Sequence, residues 1–127
     1  MNNVSVWLME QLLSEQGQHY ATMHDYSAGE SIFCVGDPGD YLAVLVSGCV
    51  EISKGTKIIS VVDPGSMFGE MGIIDHKPRV ASAIAKNQSR VAEIREGQFA
   101  GLLRVMPEFG LAVMRSLTDR LRRQVET

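Results

Sequence analysis

At 127 residues the chain has the length of one domain, enough to bury roughly two-thirds of the surface its unfolded form exposes and so to hold a core without metals or disulfides. A net charge of −3 gives no general attraction to nucleic acid or anionic lipid. The two cysteines form no Cys-x-x-Cys, and no four-ligand Cys/His set is present, which argues against a zinc or iron–sulfur centre. Cys34 and Cys49 lie in the apolar runs SIFCVG and SGCVEI, where a thiol is expected as a small buried hydrophobe rather than a disulfide partner. The opening stretch MNNVSVWLMEQLLSEQ has no basic leader and is interrupted by Glu10, so neither a secretion signal nor a membrane span is expected, and a cytoplasmic location follows.

Ser5 offers an N-cap, and Val6, Met9, Leu12 and Leu13 recur at helical spacing, which predicts an amphipathic helix ending near Gly17 with that stripe in the core. From Tyr26 to about Ile94 the texture turns to short β-rich runs: SIFCV, YLAVLV, CVEIS, KIISVV, VASAIA and RVAEI. They are punctuated by GDPGD, SG, KGTK and DPGS, in which Gly supplies positive φ and Pro a preset φ. Short strands turned this regularly predict a small antiparallel barrel or jelly roll. The stretch EMGII, Glu70 to Ile74, falls where a strand is due yet shows no turn signal until Asp75, and one helical turn inserted in the roll accounts for it.

From Glu96 the period is helical again. Phe99, Leu102 and Leu103 set a short helix that must stop before Pro107. A second helix carries Leu111, Met114, Leu117, Leu121 and Val125 on one face and Arg115, Asp119, Arg122 and Arg123 on another. That stripe either packs on the roll or pairs with the same helix of a second copy. The expected architecture is mainly β with flanking helices: one domain over residues 1–127, with a helical segment at 1–25, a β-roll at 26–95 and C-terminal helices at 96–127.

The chemistry concentrates in FGEMGIIDHKPRVASA, Phe68 to Ala83. Glu70 is an acceptor and Arg79 a donor fork that stays charged, so together they suit a ligand with both hydroxyls and a negative charge, though a plain surface pair has the same residues. A desolvated phosphate needs such a bidentate partner and also backbone N–H groups, which a short helix starting at Gly69 or Glu70 supplies. Glu70 would repel the phosphate and is better used on a sugar hydroxyl, and phosphate plus sugar means a nucleotide. An enzyme or metal reading finds little: His19, His24 and His76 are scattered, with no paired carboxylate and no nucleophile set.

Phe68-Gly69-Glu70-Met71-Gly72 followed by Pro78-Arg79-Val80-Ala81-Ser82 resembles the phosphate-binding cassette of cyclic nucleotide-binding domains. The stretch AGESIFCVGDPGDYLAVLVSGCVEI is similar to that family's Gly-Glu, Gly-Asp-x-Gly-Asp and strand-Gly-strand pattern, and the likeness runs the length of the chain. The resemblance implies that Glu70 takes the ribose 2′-hydroxyl and Arg79 the cyclic phosphate. It also implies that backbone groups of Gly69, Met71, Gly72 and Val80 or Ala81 complete the cradle, and that Ile59 and Ser60 lie on a pocket-lining strand. No metal is implied. Family sites that prefer cGMP place a hydroxyl directly after the Arg; Val80 stands there instead, so cAMP is favoured.

In cAMP-responsive transcription factors of the family the last helix dimerises and supplies hydroxyls to the adenine after an Arg-Leu pair. Here that pair is Arg120-Leu121, and the comparable positions are Gln124 and Val125. No helix-turn-helix follows, so direct DNA binding is not expected. The resemblance implies a non-enzymatic sensor that moves its C-terminal helices, with Phe99, Leu102, Leu103 and Leu111 as transmitting residues and Pro107 as the break. The output protein or domain is not named by these residues, and a homodimer through the last helix is an open option. The alternative is a β-roll interaction or dimerisation module with a vacant site, in which Arg79 would pair with a carboxylate such as Glu70.

Overall fold

The computed structural model describes residues 4 and 6–126. It begins with α1 (Val6–Leu13) and a short 3-10 helix (Gln16–His19), followed by β1 (Thr22–Tyr26), β2 (Ser31–Phe33), β3 (Tyr41–Ser47), β4 (Val50–Lys54) and β5 (Lys57–Val62). Then come β6 (Met67–Phe68), α2 (Glu70–Asp75), β7 (Ser82–Ala85), β8 (Ser89–Arg95), α3 (Glu96–Val105) and α4 (Pro107–Glu126). The strands form two antiparallel four-stranded sheets, ordered β1-β8-β3-β6 and β2-β7-β4-β5. This is the expected β-roll with flanking helices.

β3 explains how the layers are held. Its run is apolar without alternation because both faces are buried. Ala43 and Leu45 point into the roll with Phe33, Val50, Val62, Phe68 and Val91. Leu42 and Val44 point the other way, beneath Leu8, Leu12, Leu102, Phe109 and Val113 of the helices. The roll therefore has an inner core and an outer core that share one strand, and the helices cover the outer one. Among the described residues no helix is long and apolar enough to cross a membrane.

Several local expectations are corrected. α1 stops at Leu13, where the Ser14 hydroxyl donates to the Gln11 carbonyl at 2.7 Å. It buries Leu8 and Leu12, while Val6 and Leu13 are exposed. Ser5, the expected N-cap, lies outside the described residues. β1 starts at Thr22, inside the segment read as helical, because TMHDY has little strand character of its own and is held by full registration on β8. Cys34 is exposed rather than buried, since β2 ends at Phe33 and the Cys34 N–H caps onto Asp37 Oδ2 at 2.9 Å in the turn; Cys49 is half-buried, and both thiols are free.

α3 ends before Pro107 as expected, and Pro107 opens α4, where a missing N–H costs nothing. The face of α4 laid on the roll carries Phe109, Val113 and Ser116, whereas Leu111, Met114, Leu121 and Val125 are exposed. The exposed position of Leu111 removes it from the transmitting residues. Leu102 is buried in the outer core with Phe99 packed beside it, and Met106, Phe109 and Val113 belong to the same core between the helices and the roll.

Candidate ligand-binding site

α2 is placed by two glycines. Gly69, its N-cap, has φ +74°, and a Cβ there would meet Arg79 Nη1 at 2.6 Å. Gly72 lies against the GDPGD turn so closely that a Cβ would stand 2.5 Å from the Gly39 carbonyl oxygen. Helix and turn thus pack backbone to backbone, and the Arg79 guanidinium lies directly on Gly69, which fixes the cassette against the roll.

Arg79 is buried at 6% exposure. Its Nη1 donates to the Gly69 carbonyl at 2.7 Å and its Nη2 to the Tyr41 carbonyl at 2.6 Å. Burial pushes its pKa below the ordinary value, against the opposing pull of Tyr41, Asp40 and Glu70, and a guanidinium remains charged throughout. Burial also pushes the Tyr41 phenol up to about 12, so that ring stays neutral.

Glu70 is fully buried at 0% exposure. It does not pair with Arg79 as the vacant-site reading expects. Its Oε1 accepts from the Ser116 hydroxyl at 3.0 Å and from Arg120 Nη2 at 2.9 Å, both on α4. The reason is geometric: Arg79 spends two arms on backbone carbonyls, while packing of α4 delivers its own cation to Glu70. The sequence reading does not pair Ser116 or Arg120 with Glu70, although both are polar members of the stripe Phe109, Val113, Ser116, Arg120, which is a recognisable signal.

The other expected site residues divide. Ala81 is buried beside Arg79, whereas Met71 and Val80 are exposed, Val80 by 60%. Ser60 is half-buried and opposite Ile52 on β4, while Ile59 is the extra residue of a β-bulge and is exposed, so the two are not brought to the site equally. The Ser82 hydroxyl is engaged, accepting from the Val35 N–H at 3.0 Å. Among the described residues, no group of His, Cys, Asp or Glu is arranged to hold a metal ion.

Among the described residues, two buried side-chain atoms in this region lack a hydrogen-bond partner: Glu70 Oε2, an acceptor, and Arg79 Nε, a donor. Leaving such groups unpaired costs about 1–3 kcal/mol each. The arrangement suits a molecule that offers a hydroxyl to the first and an anionic oxygen to the second.

Residues 23–105 match the model of the cyclic nucleotide-binding domain. The chain is 31% identical over 104 residues to a CRP-like cAMP-activated global transcriptional regulator of Mycobacterium tuberculosis, covering 78% of this chain and 46% of that protein. It is 38% identical over 80 residues to a cAMP-dependent protein kinase regulatory subunit of Aspergillus niger, covering 61% of this chain and 20% of the relative. The crystal structure of the Thermus thermophilus catabolite activator protein superposes with a TM-score of 0.78 at 26% identity, over 91% of this chain and 59% of that one. The chain belongs to the cyclic nucleotide-binding domain family. It spans less than half the length of these curated relatives.

Proposed function

We propose that this domain is a non-enzymatic sensor that binds a cyclic nucleotide, cAMP in preference to cGMP, and passes occupancy to its C-terminal helices. The observation that carries the reading is the pair of orphaned buried atoms, Glu70 Oε2 and Arg79 Nε. The ribose 2′-hydroxyl donates to Glu70 and the cyclic phosphate accepts from Arg79. Backbone N–H groups in the first turn of α2, at Met71 and Gly72, have no intrahelical partner and complete the cradle with those of Val80 or Ala81. Ser60 lines the pocket from β5. Val80 offers no hydroxyl to a guanine amino group, and this favours adenine.

Transmission runs through Glu70. A ribose hydroxyl and α4 address the same carboxylate, one at Oε2 and the other at Oε1. Nucleotide therefore changes how firmly Ser116 and Arg120 are held, and only its differential affinity for the two placements of α4 shifts their balance.

Isothermal titration of refolded protein, free of nucleotide retained from expression, tests this reading. The expected result is cAMP binding at about micromolar Kd or tighter, with cGMP weaker. A folded sample that gives neither heat nor a thermal shift with either nucleotide overturns it in favour of the interaction module.

The same domain is proposed to dimerise through α4. Leu111, Met114, Leu121 and Val125 remain exposed while the opposite face is taken by the roll, and their spacing of three, seven and four residues suits a helix–helix seam. Light scattering should show a dimer for the wild type and a monomer for Met114→Glu combined with Leu121→Glu. A monomeric wild type at all accessible concentrations rejects the seam.

A further inference from the structure

Assigning the phosphate to Arg79 raises a question of orientation, because a guanidinium recognises an anion in its own plane and a long side chain has many planes to choose from. In this structure the choice is narrowed by two rings. Arg79 Cζ lies 4.1 Å from the centroid of Phe33 and 4.7 Å from that of Tyr41. The rings stand edge to face at 75° with centroids 6.3 Å apart, so they form a corner around the cation. Within that corner Nη1 and Nη2 are held by the Gly69 and Tyr41 carbonyls, and Nε is left without a partner.

Each wall of the corner is itself supported from elsewhere. Phe33 packs on Phe68 with centroids 6.0 Å apart. Tyr41 has Arg95 5.5 Å from its ring centroid, and Arg95 is tethered to Asp40 at 3.1 Å and to Glu93 at 2.8 Å. We propose that Phe33 and Tyr41 are positioning residues for phosphate recognition: their ring faces fix the Arg79 guanidinium before ligand arrives and turn its Nε edge toward the anion. This inference rests on the sensor reading above. Neither residue touches the nucleotide; they lower the ordering cost of the residue that does.

The ring contribution is separable, because the Tyr41 acceptor is a backbone carbonyl that survives any side-chain change. The test compares ¹⁵N-labelled wild type with Phe33→Leu, Tyr41→Leu and Tyr41→Phe, each shown to be folded by thermal unfolding. Leucine keeps apolar bulk and removes the π face, whereas Tyr41→Phe keeps the face. Two quantities are read: the Arg79 Nε–Hε resonance, assigned by its loss in Arg79→Lys, and the cAMP affinity by titration.

Both leucine variants are expected to move the resonance downfield as ring-current shielding is lost, and to weaken cAMP binding about five- to twentyfold. Tyr41→Phe keeps the ring face and should lie closer to the wild type than Tyr41→Leu in both. If Phe33→Leu fails to fold, the Tyr41→Leu and Tyr41→Phe pair decides alone. An unmoved resonance, or a moved one with unchanged affinity, overturns the positioning role. A wild type that binds neither nucleotide overturns the sensor reading instead, and the resonance then reports on the aromatic corner by itself.

Discussion

Replacing Arg79 by Ala is expected to weaken cAMP binding by more than tenfold and up to about two orders of magnitude, since the charge-assisted hydrogen bond from Nε to the phosphate is lost at about 1.5–3 kcal/mol. The nucleotide-free protein should also lose stability. The Gly69 and Tyr41 carbonyls lose their donors, and a void opens beside Phe33 and Tyr41; together these cost about 2–4 kcal/mol. Because unfolding can imitate a loss of binding, titration is paired with urea denaturation of the same samples and with Arg79→Lys. Lysine keeps charge and length without the fork, so its affinity should fall between the two. Binding by Arg79→Ala within about tenfold of the wild type would remove the phosphate role from this residue.

The second large effect concerns the link between cassette and helix. Arg120→Met leaves the buried Glu70 carboxylate without its cation, a change that costs about 3–5 kcal/mol when a pair is fully buried. Arg120 is 38% exposed on its side chain, so water softens the penalty to about 1–3 kcal/mol. Glu70→Gln combined with Arg120→Met should be less damaging than the sum of the single changes, with a coupling of about 1 kcal/mol or more. Urea denaturation of the four proteins measures it. Strict additivity, or an Arg120→Met protein as stable as the wild type, would show that α4 does not read Glu70 and would remove the transmission route proposed here.

Much of the fold is written locally. β5 spans the run KIISVV without a residue's difference, and β3, β4 and β8 lie within one or two residues of the runs YLAVLV, CVEIS and RVAEI. Strand propensity and turn residues act over a few positions, so those stretches carry their own boundaries. α2 is legible for a related reason: a run with no turn signal where a strand is due, with Gly69 at its N-cap and Gly72 in its first turn to allow close packing. Where local signals are weak, tertiary packing sets the element instead. β1 is a strand only because β8 pairs with all of it, and α1 turns Leu8 rather than Val6 inward because the outer core lies on that side.

The cassette residues are read from chemistry and resemblance, and the family match over residues 23–105 bears out the family resemblance. Their partners are not. Two opposite charges nine positions apart invite a pairing of Glu70 with Arg79 that the folded chain does not make.

By itself the sequence determined the β-roll with its flanking helices, the short helix within it and the family, and it supplied Glu70 and Arg79 as the residues proposed here for a sugar and a phosphate. Only the tertiary structure decided who holds them. Ser116 reaches Glu70 across 46 positions and Tyr41 reaches Arg79 across 38. Contacts of that separation arise from how α4 lies on the roll and how β2 and β3 face its interior. Propensity and periodicity describe a chain's own neighbourhood, whereas a buried charge takes its partners from whatever packing brings to it.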